Sequence, residues 1–269
     1  MPDLIKEIAE KQISTLHQIR LYTCTLFKDL SSYKQNGTGV FVKIGSKHFL
    51  FSAAHVFDDF DELFIPLKEG KTLLKPGGSV IKNFPKENRE TDDLDVGILV
   101  LDPESIAALK ESYSFLESSH LEINHVQSNL LLYTVFGYPT TWSKKSTTKN
   151  SFHSVPFFNF TKCVGGAEYY KVNRHEYLSL IVDYDRKNTP NLKSRTFSYG
   201  PDLFGISGCG LWYLNPHDLQ RGPALVGIMN EWSKTNRSRL IATRIDAYTE
   251  ILRSQGIIDF QETNLFGYK

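Results

Sequence analysis

The sequence has 269 residues, of which 41% are hydrophobic and 23% are charged. These fractions are typical of a folded globular protein and exclude disordered, collagen-like and coiled-coil chains. The 31 lysines and arginines nearly balance the 30 aspartates and glutamates, so the overall charge favours neither a nucleic acid nor an anionic membrane as partner. The aromatic content of 13% favours β-strands, because large rings pack well on a pleated surface.

The cysteines and the N-terminal segment indicate the cellular compartment. Cys24, Cys163 and Cys209 are widely spaced and include no C-x-x-C pair, so the sequence predicts neither a disulfide framework nor a zinc site. The first residues, MPDLIKEIAEKQ, include acidic side chains and lack the apolar core of a secretory signal, and no 18-residue apolar stretch follows. We therefore expect a cytoplasmic protein that binds no membrane.

The predicted elements follow one another along four segments. Residues 1–20 carry leucine and isoleucine at helical spacing, which predicts an amphipathic N-terminal helix. Residues 21–122 contain short apolar runs such as GTGVFVKIG, HFLFSAAHV and DVGILVLD between glycine and polar clusters, and residues 123–245 repeat this pattern with YLSLIVDYD and ALVGIMNEW. Residues 246–269 begin with a short helix that ends at Gly256. The pattern predicts an all-β protein with two β-rich units.

Three local motifs contain residue types that could perform acyl transfer. They are SAAHV at 52–56, DVGILVL at 95–101 and GISGCGLW at 205–212. A serine nucleophile requires an imidazole to accept its proton, a carboxylate to orient the imidazole, and amides directed at the developing oxyanion. Each motif alone has an ordinary explanation, since a serine among glycines is usually a turn and a lone histidine is usually a core residue.

As a set, and in the chain order His55, Asp95, Ser207, the motifs resemble those of the trypsin-like serine peptidases, which have the chymotrypsin fold. The resemblance implies two antiparallel six-stranded β-barrels with an N-terminal helix and a short C-terminal helix. His55 and Asp95 then belong to a first barrel at 21–122, and Ser207 to a second barrel at 123–245. Because no secretory signal is found, the expected relative is an intracellular peptidase of the bacterial type.

The resemblance also implies a mechanism for a serine endopeptidase. Ser207 attacks the peptide bond, His55 transfers the proton, Asp95 orients His55, and the amides of Gly205 and Ser207 bind the oxyanion. This chemistry requires no cofactor and no metal. The expected partner is a polypeptide substrate.

Substrate-binding residues are implied on two further segments. Asn230, Glu231 and Trp232 would form the strand edge that pairs with an extended substrate backbone. Pro201 and Asp202 would form the floor of the primary specificity pocket. A carboxylate at Asp202 would attract lysine or arginine, although Pro-Asp is also an ordinary turn pair, so the substrate preference stays open.

Several alternatives remain open. Ile206 stands where secreted relatives carry an aspartate, so activation by a newly cut N-terminus is not expected. Cys209 is a second candidate nucleophile, although Ser207 fits the motif better. Asp92 and Asp93 lie close to Asp95 but lack its following apolar run.

A different class of function is a catalytically latent peptidase fold that only binds peptides. Because a cytoplasmic peptidase must be restrained, a regulatory protein partner acting through the N-terminal helix is part of this hypothesis.

Overall fold

The computed structural model describes residues 2–28, 34–84, 94–146, 151–191, 196–233 and 237–266. These residues form two curled antiparallel sheets, with one helix before the first sheet and another after the second. The predicted all-β fold with an N-terminal and a C-terminal helix is therefore confirmed. The alternative carboxylates at positions 92 and 93 lie outside the described residues.

The first sheet contains eight strands among the described residues, in place of the six predicted. Its spatial order is β5-β4-β1-β2-β3-β7-β6, and the short β8 pairs in parallel with β2. The strands are β1 (Thr23–Lys28), β2 (Lys34–Ile44), β3 (Lys47–Ala53), β4 (Leu63–Leu67), β5 (Thr72–Leu74), β6 (Gly78–Lys82), β7 (Val96–Leu101) and β8 (Leu116–Glu117).

The second sheet has six strands in the order β12-β9-β16-β17-β18-β13, and two hairpins, β10-β11 and β14-β15, extend from it. The chain beyond β12 pairs with β13 through a Cys163–Val182 bridge and a 3.0 Å bond from the Val164 amide to the Ile181 carbonyl, which closes the sheet into a barrel. The strands are β9 (Tyr133–Gly137), β10 (Ser143–Ser146), β11 (Ser151–Ser154), β12 (Phe157–Thr161), β13 (Ser179–Asp183), β14 (Thr189–Asn191), β15 (Thr196–Ser198), β16 (Gly210–Leu214), β17 (Pro223–Trp232) and β18 (Arg239–Arg244).

The N-terminal helix α1 (Pro2–Tyr22) extends two residues beyond the predicted end and packs onto the body of the molecule. Leu16 and Ile19 are buried in a core that both sheets share. The Gln12 amide donates a 3.1 Å hydrogen bond to the Leu131 carbonyl. The apolar face of α1 is thus occupied by the protein itself, while Ile13 is exposed on the helix.

Helix α4 (Ile245–Ser254) follows β18 directly and packs behind the first sheet; the described residues also include α2 (Pro103–Leu109) and α3 (Ala167–Lys171). The Tyr248 hydroxyl in α4 is buried and donates a 2.7 Å hydrogen bond to the Ser52 carbonyl in β3. Gly256 follows the helix with a φ of +66°, which suits the predicted glycine stop. The C-terminal helix therefore fixes the strand that leads to His55.

Neither a membrane-spanning helix nor a metal-binding cluster is found in the part of the chain that the structure describes. No helix there combines the length and the apolar composition needed to cross a bilayer. The same residues contain no group of three or more histidine, cysteine or acidic side chains that could hold a metal ion.

A cavity of about 1050 Å³ lies away from the three motifs, and His125, Arg244 and Asp246 line it. The His125 ring is buried and its Nε2 contacts the Tyr133 hydroxyl at 2.7 Å. Burial, with a smaller effect from the Arg244 charge, lowers the pKa of His125 from 6.5 to about 4. Asp246 is also buried, and burial raises the pKa of its carboxyl.

These groups predict an acid-sensitive contribution to stability. Between pH 6.5 and about 4 the unfolded chain protonates His125 while the folded chain does not, so this contribution, up to about 3 kcal/mol, is present above pH 6.5 and is lost as the pH falls. Asp246 acts in the opposite direction, because a raised carboxyl pKa contributes stability that is lost as the pH rises. We expect His125→Gln to flatten the decline in unfolding free energy between pH 7 and 4, measured by urea denaturation.

The exposed His217 provides the matched control for this measurement. We expect His217→Gln to keep the wild-type pH dependence. An equally steep decline in the His125 variant would show that this ring is not responsible.

Candidate active site

His55 lies two residues beyond the end of β3, in a short 3₁₀ turn at Ala54–Phe57. Its ring Nδ1 lies 2.7 Å from Asp95 Oδ2, and its backbone amide donates to Asp95 Oδ1 at 3.0 Å. A carboxylate only accepts hydrogen bonds, so Nδ1 carries the proton in this contact. In the neutral ring Nε2 is then the basic nitrogen, and the imidazole side chain is 33% exposed.

Asp95 immediately precedes β7 and is only 6% exposed. Its φ of +36° lies in the left-handed region, which side chains other than glycine rarely adopt. Three hydrogen bonds besides those to His55 stabilise the turn at residues 94–96. The Ala54 amide donates to the Asp95 carbonyl at 3.1 Å, and the Thr243 hydroxyl donates to the Leu94 carbonyl at 2.7 Å. The Val96 amide donates to the side-chain oxygen of Asn83 at 2.6 Å. The turn that carries the carboxylate is therefore held by hydrogen bonds from both sheets.

Ser207 lies in a tight turn before β16, between glycines with φ values of +89° at Gly205 and +90° at Gly208. The Thr38 amide in β2 donates to the Ser207 carbonyl at 2.8 Å, and the Gly208 amide donates to the Met229 carbonyl in β17 at 2.6 Å. A Cβ atom at Gly208 would overlap the Thr38 carbonyl and the Ser52 hydroxyl. Only glycine fits this junction of the two sheets.

The Ser207 hydroxyl is directed toward β17 in this structure. It donates a long 3.4 Å hydrogen bond to the Asn230 carbonyl. No hydrogen bond joins this hydroxyl to His55 within the described residues. Catalytic contacts of this kind are often long or misaligned without substrate, and rotation about the Ser207 Cα–Cβ bond would redirect the hydroxyl.

The backbone amides of Gly205 and Ser207 are each oriented by the hydrogen bond that the carbonyl of the same peptide group accepts. The Phe204 carbonyl accepts from the Thr140 amide at 2.7 Å, so the N–H of Gly205 points the opposite way, because a trans peptide places these groups on opposite sides. The Ile206 carbonyl accepts from the Cys209 amide at 2.9 Å, which orients the Ser207 N–H in the same manner. Neither amide donates a hydrogen bond to any of the described residues. Both are available to an oxyanion.

Asn230 and Thr243 form a link that the sequence patterns did not indicate. Asn230 lies at a bulge in the pairing of β17 with β18, and its side-chain amide donates to the Thr243 hydroxyl at 2.9 Å. Thr243 in turn bonds to the Leu94 carbonyl, next to Asp95. The main-chain carbonyl of Asn230 therefore contacts the Ser207 hydroxyl, whereas its side chain stabilises the turn at Asp95 through Thr243.

The predicted specificity-pocket residues are engaged in contacts of their own. Pro201 is buried, and its carbonyl accepts a 3.3 Å hydrogen bond from Tyr184. The Asp202 carboxylate pairs with Arg186 at 2.9 Å. The predicted attraction of Asp202 for a basic substrate is weakened, since a guanidinium already neutralises this carboxylate.

The other two predicted edge residues also have partners. Glu231 pairs with Arg174 at 2.8 Å, and the Trp232 indole N–H donates to the Arg237 carbonyl at 2.8 Å. Beyond Ile228 the pairing of β17 with β16 ends, while its pairing with β18 continues to Trp232. The edge of β17 nearest Ser207 is thus left without a strand partner among the described residues.

Cys209 is unsuited to act as a nucleophile in this structure. Its thiol is completely buried, and burial raises its pKa far above the usual range. A neutral thiol is a weak nucleophile, so the geometry favours Ser207. Ile206 is likewise buried, in the core of the second sheet.

The turn at Gly208 generates a stability prediction. We expect Gly208→Ala to lower the unfolding free energy by about 2–5 kcal/mol, because it combines backbone strain with an overlap that the two sheets must relieve. Gly45 is the matched control, since its φ is +60° and nothing lies near a Cβ placed there. Gly45→Ala should cost only about 1–2 kcal/mol in the same denaturation experiment. Equal losses would mean that the Gly208 junction adapts without cost.

Comparisons with known proteins identify the fold. No protein-family model matches the sequence, and no curated protein matches it. Among solved structures, an inactivated protease paralogue of the scabies mite (SMIPP-S-I1) aligns with a TM-score of 0.53 and 14% identity over 87% of this chain and 93% of its own. The human heparin binding protein aligns with a TM-score of 0.57 and 12% identity over 87% of this chain and 90% of its own. This chain has the trypsin-like serine protease fold.

Proposed function

We propose that this protein is a serine endopeptidase that hydrolyses peptide bonds through an acyl-enzyme. One observation carries the proposal: both oxygens of the buried Asp95 carboxylate hold His55, at the junction of the sheets where Ser207 lies between two glycines. In a fold shared with peptidases, this arrangement supplies the base, its orienting group and the nucleophile.

The first half of the reaction forms an ester on Ser207. The Ser207 hydroxyl oxygen attacks the carbonyl carbon of the scissile bond, and its proton passes to Nε2 of His55. The carbonyl oxygen acquires the negative charge, which the amides of Gly205 and Ser207 stabilise. The tetrahedral intermediate then expels the amine, which leaves with the proton from His55.

The second half releases the product and restores the enzyme. A water molecule loses its proton to His55 as it attacks the ester. The tetrahedral intermediate then collapses, and His55 gives that proton to the Ser207 oxygen as the new carboxylic acid leaves. Asp95 keeps its hydrogen bond to Nδ1 of His55 and stabilises the imidazolium that forms in each half. The chemistry needs no group beyond these side chains and amides.

The substrate would be an extended polypeptide. The unpaired edge of β17 at Asn230, Glu231 and Trp232 can add a substrate strand by main-chain hydrogen bonds. Such a strand would run beside the Asn230 carbonyl, which already reaches the Ser207 hydroxyl. The reacting carbonyl would thus lie close to the nucleophile.

A latent, peptide-binding protein is the second candidate function. Two observations favour it: the Ser207 hydroxyl bonds to Asn230 and not to His55 within the described residues, and one structural neighbour is an inactivated protease paralogue. A regulatory protein partner and a cytoplasmic location stay predictions. Because the apolar face of α1 is buried, a partner that uses this helix would contact its opposite face, where Ile13 is exposed.

Covalent labelling separates the two functions. We expect a fluorophosphonate probe to modify wild-type protein at Ser207, because the reagent needs an activated serine and an oxyanion site but no particular peptide. The adduct is mapped by mass spectrometry after proteolysis. Ser207→Ala should abolish it.

Cys209→Ala is the control, since a buried neutral thiol has no part in the reaction, and its labelling should equal that of the wild type. Labelling that disappears in this variant would assign the chemistry to the thiol. Folded wild-type protein that remains unlabelled would favour the latent function.

Asp95→Asn tests the orienting carboxylate. Asparagine keeps the shape, but its amide nitrogen presents a donor to His55 and favours the wrong tautomer. We expect the labelling rate to fall on the order of 10³- to 10⁴-fold with little change in the thermal midpoint of unfolding. A rate within about threefold of wild type would remove Asp95 from the mechanism.

A further inference from the structure

A cluster of aromatic rings and guanidinium groups lies beside the candidate active site. The Arg237 guanidinium carbon is 4.3 Å from the centre of the Trp232 ring, and that of Arg186 is 5.7 Å away. Arg186 also stacks on Tyr199 at 4.6 Å, and Phe204 contacts Trp232 edge-on with ring centres 6.3 Å apart. We name these five residues the Trp232 cluster.

The Trp232 cluster adjoins the groups that would handle a substrate. Trp232 lies two residues beyond Asn230 on the unpaired edge of β17, and Phe204 immediately precedes Gly205. A peptide that pairs with this edge and places its carbonyl at Ser207 would run alongside these two rings, which are in edge-on contact. The rings thus restrict the space next to the scissile bond, and their flat surfaces are suited to packing against a side chain.

The charge of the Trp232 cluster is positive. Arg186 is balanced by Asp202 at 2.9 Å. Arg237 is exposed, and none of the described residues supplies a carboxylate to it. Nearby Glu231 is already paired with Arg174. Among the described residues, one guanidinium therefore has no carboxylate partner at the entrance to the site.

We propose that Arg237 and Trp232 select peptide substrates that carry a glutamate or aspartate close to the scissile bond. The indole ring stacks on the face of the guanidinium, and a planar guanidinium held in this way can bind a carboxylate along its N–H edge with two parallel hydrogen bonds. This preference for acidic substrates is the opposite of the preference for lysine or arginine that Asp202 alone suggested. This proposal rests on the proposed function only for the orientation of the bound peptide. Binding of an acidic peptide to the Trp232 cluster does not require that the peptide be cleaved.

The test measures peptide binding to Ser207→Ala, which cannot cleave its ligand. Three fluorescent peptides are compared by anisotropy; they have glutamate, glutamine or lysine at one central position and alanine elsewhere. We expect the glutamate peptide to bind roughly tenfold more tightly than the lysine peptide at low salt, and the difference to shrink as ionic strength rises. Adding Arg237→Glu should abolish or reverse this order.

Lys47→Glu in the same background is the matched control, because it makes an equal charge change at the exposed first residue of β3. It should keep the preference for glutamate. Equal binding of the three peptides, no binding of any of them, or an equal effect of both charge reversals would overturn the proposal.

Fluorophosphonate labelling of the wild type, read beside peptide binding to Ser207→Ala, separates this proposal from the proposed function. Labelling of the wild type, together with equal binding of the three peptides to Ser207→Ala, would reject the role of Arg237 and leave the peptidase intact. Acidic preference without labelling of the wild type would support the role of Arg237 in a protein that binds peptides and does not cleave them.

Discussion

The candidate active site depends on the close approach of two backbones at the junction of the sheets. The Thr38 amide of the first sheet donates to the Ser207 carbonyl of the second, and the missing Cβ of Gly208 lets the chains come together. A second link runs from Thr243 to the Leu94 carbonyl beside Asp95. Because these bonds are short and directional, they set the relative position of the turns that carry His55 and Ser207, and they leave the two side chains proposed as base and nucleophile free to react.

The residues of the candidate site differ in their exposure to solvent, and this difference affects their chemistry. Asp95 is almost inaccessible, and three hydrogen bonds compensate for its loss of water. The ring and the amide of His55 bond to its carboxylate, and the Ala54 amide donates to its carbonyl. His55 keeps one face open to solvent. Cys209, two residues from the nucleophile, is sealed in the core and its thiol stays protonated. The surroundings therefore determine which of the neighbouring groups is reactive.

The sequence predicted those parts of the site that local patterns encode. A histidine after a strand, an aspartate before an apolar strand and a serine between glycines each leave a local pattern, and the structure brings His55 and Asp95 into contact. The trypsin-like fold was predicted from the same motifs, although the first sheet has more strands than expected, since short strands such as β5 and β8 carry little apolar pattern.

Other contacts could not be predicted because they join residues that are distant in sequence. Thr243 lies in an apolar strand, and nothing in its neighbours indicates that its hydroxyl reaches Leu94, 149 residues away. The pairing of Asp202 with Arg186 is equally invisible, since it depends on how two loops meet. The substrate preference inferred from Asp202 alone was for this reason incomplete: a carboxylate attracts a cation only where no cation of the protein already neutralises it.

The junction of the sheets also bears on how the chain reaches its native state. His55 and Asp95 are 40 residues apart and lie within one sheet, so their contact closes a modest loop. Thr38 and Gly205, which bring the serine turn onto the first sheet, are separated by 167 residues, and ordering so long a loop delays such contacts. A nascent chain would therefore bring His55 and Asp95 together well before the Ser207 turn joins them, so the proposed acyl transfer would be impossible during most of its synthesis.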